Sequence, residues 1–183
     1  FHVLADQNTV NAFALPGGQI FITVALLSRL DRQDQRVFES QLAGILGHEI
    51  GHVINRHSAE QIAESEFASG LVNAVAVGTS DPYGSGGMSG AQIAQVVSNM
   101  MTMKHGRDDE LESDVYGVNY MHSAGYDPIH LIRVMEILKE ASGGGERDEF
   151  TSTHPSPENR IAKIKEAIEK LKGANTLQPT KKR

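Results

Sequence analysis

Two histidines four residues apart, His48 and His52, bracket Glu49 in the stretch GHEIGHV. Around them Phe38, Leu42, Ile45, Leu46, Ile50 and Val53 recur at helical spacing, so the stretch is read as the interior of a helix capped at Asp31 or Asp34. Residues i and i+4 share one helix face, and two imidazoles placed there reach a single metal ion. Neutral imidazole nitrogen suits zinc, and a catalytic zinc takes three protein ligands while leaving a fourth position for water. Glu49 lies about 100° round the helix from His48. Its carboxylate there reaches the water rather than the metal, which is the place of a general base. Chance supplies only about 0.03 such motifs in a chain of this composition. Solvent-exposed histidines on an amphipathic helix are the plainer explanation, but the apolar flanks and the glycines Gly47 and Gly51 disfavour it. Glycine inside an apolar helix points to the close approach of another element.

A third ligand has to come from elsewhere. One kind of zinc peptidase takes a histidine six residues after the second motif histidine, behind a glycine three residues after it; here those positions are Ser58 and Asn55. His57 stands five after His52, which turns it about 140° away on a continuing helix, so it is read as a structural or surface histidine. The chain has no cysteine, which removes thiolate ligands, disulfides and a cysteine nucleophile. The run RDDELESD offers carboxylates instead. Glu110 and Asp114 are four apart and share a face, so Glu110 can bind zinc while Asp114 accepts the distal N–H of a ligand histidine, by preference His48, and fixes its tautomer. Glu112 points to another side. Without the first motif the run would be an ordinary acidic helix start. His2, His105, His122 and His130 have no motif support and are assigned no chemistry.

At 183 residues the chain is expected to form one domain, 1–183, with its own core. Its opening, FHVLADQNTVNAFALPGGQIFIT, reads as short strands near 1–4, 10–14 and 19–24 joined by a tight turn. Helices are predicted over about 34–57, the motif helix, then 58–77, 89–104, 107–123, 127–141 and 157–172. The segment 64–106 between the ligand helices is longer than joining them requires; it is read as a lid over the cleft, or as a helical hairpin with a Gly/Ser-rich tip at 78–90. A net charge of -6 argues against nucleic acid, which is held through a basic face. No apolar run approaches the roughly 20 residues of a transmembrane segment. Because the chain opens on Phe1 rather than methionine, it is expected to be a processed piece of a longer protein.

Taken in order, NAFALPGG, HEIGH, ELESD and THPSPENR make the chain resemble the gluzincin metallopeptidases of family forty-eight, of the HtpX, CAAX prenyl protease and BepA type, from about Val3 to Ile164. The resemblance implies an α+β, zincin-like metallopeptidase fold, mainly helical, with a small N-terminal β-sheet whose edge strand pairs with substrate. It implies one Zn2+ ion held by His48, His52 and Glu110, with Asp114 behind a ligand and Glu49 as the base. Ser113 stands where the family's element usually has alanine, one small residue for another. An exposed strand edge takes an extended peptide as an added strand. Asn11, Ala12, Phe13 and Ala14, or Gly18 to Thr23, are the candidates, although core strands with a turn fit the same residues equally. His154 before Pro155 is by default a loop residue; the resemblance puts it at the active site, approaching the metal or steadying an oxyanion. Arg160 is assigned to that loop's anchorage or to a carboxylate contact, within the substrate-binding set. The implied activity is a zinc endopeptidase acting on unfolded or misassembled polypeptides. Its rival is a chaperone-like polypeptide-binding module with an occluded zinc site; a purely structural zinc would have no use for Glu49. The implied location is exported, periplasmic or at the cell envelope, with membrane-associated assembly partners engaged through regions outside these residues.

Overall fold

The computed structural model describes residues 1–64, 105–142, 153–154 and 160–176. Three strands open the chain: β1 (His2–Leu4), β2 (Ala12–Ala14) and β3 (Ile20–Thr23). They form a sheet in the order β1-β3-β2, with β1 parallel and β2 antiparallel to β3. The β2–β3 turn is set by Pro16-Gly17-Gly18, where φ of 99° and 90° at the two glycines is backbone that L side chains resist. Since β3 is hydrogen-bonded on both sides, Gly18 to Thr23 cannot supply an edge for an added strand; β2 is the edge on the hairpin side among the described residues. Strand β3 also ends earlier than the apolar run suggests. Thr23 Oγ1 accepts from Leu26 N at 3.2 Å and caps a short helix, α1 (Val24–Arg29), that the hydrophobic pattern did not reveal.

Helix α2 (Gln35–Ile54) starts where Asp34 Oδ1 accepts from the N–H groups of Arg36 and Val37. It ends at a turn in which Arg56 takes φ 60°, and residues 57–64 are helical again. Helix α3 (Arg107–Ser123) has the predicted bounds and closes at Gly125, with φ 83° and Tyr126 N–H bonded back to Met121 O at 2.9 Å. Helix α4 (Ile129–Ser142) and helix α5 (Arg160–Thr176) complete the described elements. The remainder of the 58–77 and 64–106 readings, the helix at 89–104, the tip at 78–90 and the first residues of the 157–172 helix lie outside the described residues.

The core joins the sheet to the helices through Val10, Ile22, Leu26, Ile45, Val118, Met121, Leu131 and Ile164, among others, all buried. At its centre α2 and α3 cross backbone to backbone. A Cβ on Gly47 would sit 3.1 Å from Gly117 Cα, and one on Gly51 would sit 2.8 Å from Ser113 Cα. The glycines inside the motif helix therefore mark the approach their sequence context predicted. That crossing brings Glu110 and Asp114, on the first turns of α3, against His48 and His52 near the end of α2. No helix among the described residues is long and apolar enough to cross a membrane.

Candidate metal centre

His48, His52, Glu110 and His154 each aim one ligating atom at a common point, the four atoms lying within 4.8 Å of one another, and all four residues are buried. His48 Nε2 is 3.0 Å from His52 Nε2, 3.4 Å from His154 Nδ1 and 3.5 Å from Glu110 Oε2. Glu110 Oε1 is 2.9 Å from His154 Nδ1 and 3.4 Å from His52 Nε2. Donors at the bond lengths of a tetrahedral N/O zinc site stand about 3.3 Å apart. Glu49 lies beside the cluster, buried, with Oε1 lacking a hydrogen-bond partner among the described residues and 3.5 Å from His154 Nε2.

Behind the donors, each motif histidine is held from its far nitrogen. His48 Nδ1 donates to Asp114 Oδ1 at 2.9 Å, which leaves Nε2 as a bare lone pair in the neutral ring. His52 Nδ1 lies 3.0 Å from Nδ1 of His57. Asp114 is gripped in turn by Arg160, whose Nη2 and Nε donate to its two oxygens at 2.6 and 2.7 Å, while Nη1 lies 2.8 Å from Glu110 Oε2. Burial works against a charged His48, but Asp114 and Glu110 overcome it and push the imidazole up to about 9. Burial drives His52 far below its ordinary range and takes His105, which stacks on His52 at 4.0 Å, down to about 3. It raises Glu49. Glu110 is held far below the usual carboxylate range despite burial, by the His154 ring first and then by hydrogen bonds from the three histidines.

The donor set fits a cation. With both rings neutral, two imidazole lone pairs 3.0 Å apart and a carboxylate across from them repel unless a proton or a metal ion stands between them. Asp114, Glu110 and an ionised Glu49 face one buried guanidinium, so a divalent ion brings the enclosed charge to zero. His48, His52, Glu110 and His154 are the residues able to hold it.

Of the residues singled out in the sequence, the structure brings together His48, Glu49, His52, Glu110, Asp114, His154 and Arg160. Arg160 is 1% exposed and committed to Asp114 and Glu110. It thus sits beneath the centre and not on a substrate wall, and the carboxylate contact expected of it is internal. His57 is not a surface residue: the turn at Arg56 breaks the continuing helix and swings its ring back under His52. No sequence signal gave His105 a place here. A cleft beside His52 is walled by Ala14, Leu15, Pro16 and Gly17 on one side and by Val53, Arg56, Ser58 and Ala59 on the other, so the end of β2 borders the centre. Asn11, Ala12 and Phe13 are buried in or next to that strand, and the side-chain N and O of Asn11 have no hydrogen-bond partner among the described residues.

The chain is 35% identical over 167 residues to the mitochondrial metalloendopeptidase OMA1 of Schizosaccharomyces pombe, covering 90% of this chain and 45% of that protein. It is 30% identical over 170 residues to the beta-barrel assembly-enhancing protease of Escherichia coli, covering 88% and 33%, and 26% identical over 159 residues to the metalloprotease YcaL of the same organism, covering 87% and 58%. It therefore spans about a third to just over half the length of these relatives. Residues 1–168 match peptidase family M48, and with the α+β architecture and the His/Glu centre in place, the chain belongs to that metal-dependent family.

Proposed function

We propose that the chain is a zinc-dependent endopeptidase domain that hydrolyses peptide bonds of unfolded or misassembled polypeptides. The observation that carries this reading is the buried Glu49 Oε1, without a hydrogen-bond partner among the described residues, beside a donor set of two imidazole nitrogens and one carboxylate. A structural site would have no work for such a group. His48, His52 and Glu110 are the proposed ligands. Zinc supplies a Lewis acid that polarises a carbonyl and makes a water nucleophilic near neutral pH. Glu49 takes the proton from the attacking water and delivers it to the leaving amine. Asp114, held by Arg160, keeps His48 in the ligating tautomer.

Catalysis needs one corner of the donor set open. Three donors ride on the locked pair α2 and α3, whereas His154 comes from a separate segment, tied by a 3.0 Å bond from His105 N to Thr153 O. His154 is therefore the donor assigned to the reaction: turned from the ligand set, it steadies the developing oxyanion. The edge of β2, Asn11 to Ala14, takes the substrate in extended form through backbone hydrogen bonds. The unpartnered Asn11 amide and the cleft at Ala14 support that placement. A role in envelope protein quality control is supported by the name of the beta-barrel assembly-enhancing relatives.

Casein digestion tests the reading. Cleavage is expected with zinc, lost with a chelator and restored by zinc; cleavage that survives complete metal removal overturns it.

A further inference from the structure

We propose that His57 is a positioning residue for the metal centre: its Nδ1 accepts the Nδ1–H of His52 and so fixes the tautomer in which His52 presents a bare Nε2 to the ion. The inference rests on the zinc reading above and deepens it.

The proton placement follows from what surrounds the ring. His57 is 4% exposed, and its Nε2 faces carboxylates, with Glu112 Oε2 at 3.3 Å and Asp109 Oδ1 at 3.8 Å. An ionised carboxylate only accepts, so Nε2 carries the hydrogen. A neutral imidazole then has a bare Nδ1. Two groups point at that atom, His52 Nδ1 at 3.0 Å and the Ser113 hydroxyl at 3.4 Å. The opposite assignment, with the hydrogen on His57 Nδ1, would leave a lone pair facing Glu112 and would force the His52 hydrogen onto Nε2, blocking the atom that meets His48 at 3.0 Å. The rings meet edge to face, at 5.0 Å and 76°, which lets the nitrogens align.

The two motif histidines are consequently supported by different chemistry. His48 is backed by a carboxylate locked to a guanidinium, and His52 by a second imidazole whose own far nitrogen faces part-exposed acids. Groups behind a metal's histidine ligands typically contribute 10- to 100-fold to affinity.

Two measurements decide the point. Zinc dissociation constants of the full chain are compared by chelator competition for wild type, His57→Leu and His57→Asn. The leucine variant is expected to bind about 10- to 100-fold more weakly. The asparagine variant, whose Oδ1 takes the place of Nδ1, should recover most of that loss, which a merely space-filling role would not. Leucine binding as tight as wild type, or asparagine no better than leucine, overturns the proposal. Should the leucine variant not fold, nitrogen-15 NMR of the unmutated zinc-loaded protein still decides. It should find the hydrogen on His52 Nδ1 and on His57 Nε2, and a hydrogen on His57 Nδ1 overturns the assignment. Wild type that takes up no zinc would overturn the zinc reading itself, a result distinct from tight zinc in wild type and leucine variant alike.

Discussion

His48 shows how far single-residue chemistry reaches here. Without a metal, the charge of Glu110 and Asp114 pushes its imidazole up to about 9, so at pH 7 a proton occupies the lone pair that a zinc ion would use. Proton and metal compete for one atom. Zinc binding at pH 7 is therefore expected to release about one proton from this site, and affinity should climb with pH until about 9 and then level off. Calorimetry in two buffers of different ionisation heat reads that release directly, and its absence at pH 7 would contradict the assignment. Glu49 makes a second, separable prediction. Glu49→Gln keeps the shape and removes the base, so zinc content should be unchanged while casein cleavage falls by about 10²- to 10⁴-fold; elemental analysis beside an activity assay distinguishes this from loss of metal. That both residues stand at one site was legible in the sequence because the i, i+4 spacing is local. His57 was not, since its position depends on the φ of 60° at Arg56, which no residue pattern announces.

At the level of elements, the centre depends on how closely α2 and α3 pack. Gly51 has no room for a methyl group, its Cβ position lying 2.8 Å from Ser113 Cα, whereas a Cβ added at Gly173 in α5 would meet nothing within 4 Å among the described residues. Gly51→Ala should thus cost about 1–3 kcal/mol through overpacking, only partly offset by helix propensity, and weaken zinc binding because Glu110 rides on the displaced helix. Gly173→Ala should gain about 0.5–1 kcal/mol. Urea denaturation measures both, and a neutral Gly51→Ala would mean the helices can part without harm. The crossing was readable from Gly47 and Gly51 as apolar-helix glycines, and α3 from its acidic start and its Ala-Gly stop. Helix α1 was hidden because Val24 to Leu27 is equally good strand sequence, and only the Thr23 cap turns it. The central position of β3 was unreadable for a different reason: which strand takes the middle is a long-range pairing that residue alternation does not encode.

Across the whole molecule, Arg160 ties the centre together. From α5 it reaches Asp114 and Glu110 on α3, and through Asp114 it holds His48 on α2, so one buried guanidinium joins three helices distant in sequence. It also balances charge that nothing else among the described side chains balances permanently. Remove it, and two buried carboxylates are left, a loss that ordinarily costs about 3–5 kcal/mol. Much of a typical domain's 5–15 kcal/mol would then be gone. A bound divalent ion changes that outcome, because it offsets Glu110 even when the guanidinium is missing, and a ligand that binds only the folded state adds stability of its own. Arg160→Met is accordingly expected to remain folded at neutral pH with zinc and to lose most of its cooperative structure after chelation, while the wild-type chain loses far less. Thermal unfolding followed by circular dichroism, with and without chelator, tests this. Equal destabilisation in both states would mean that ion and guanidinium do not share the charge of Glu110, and the centre would have to be assigned other ligands.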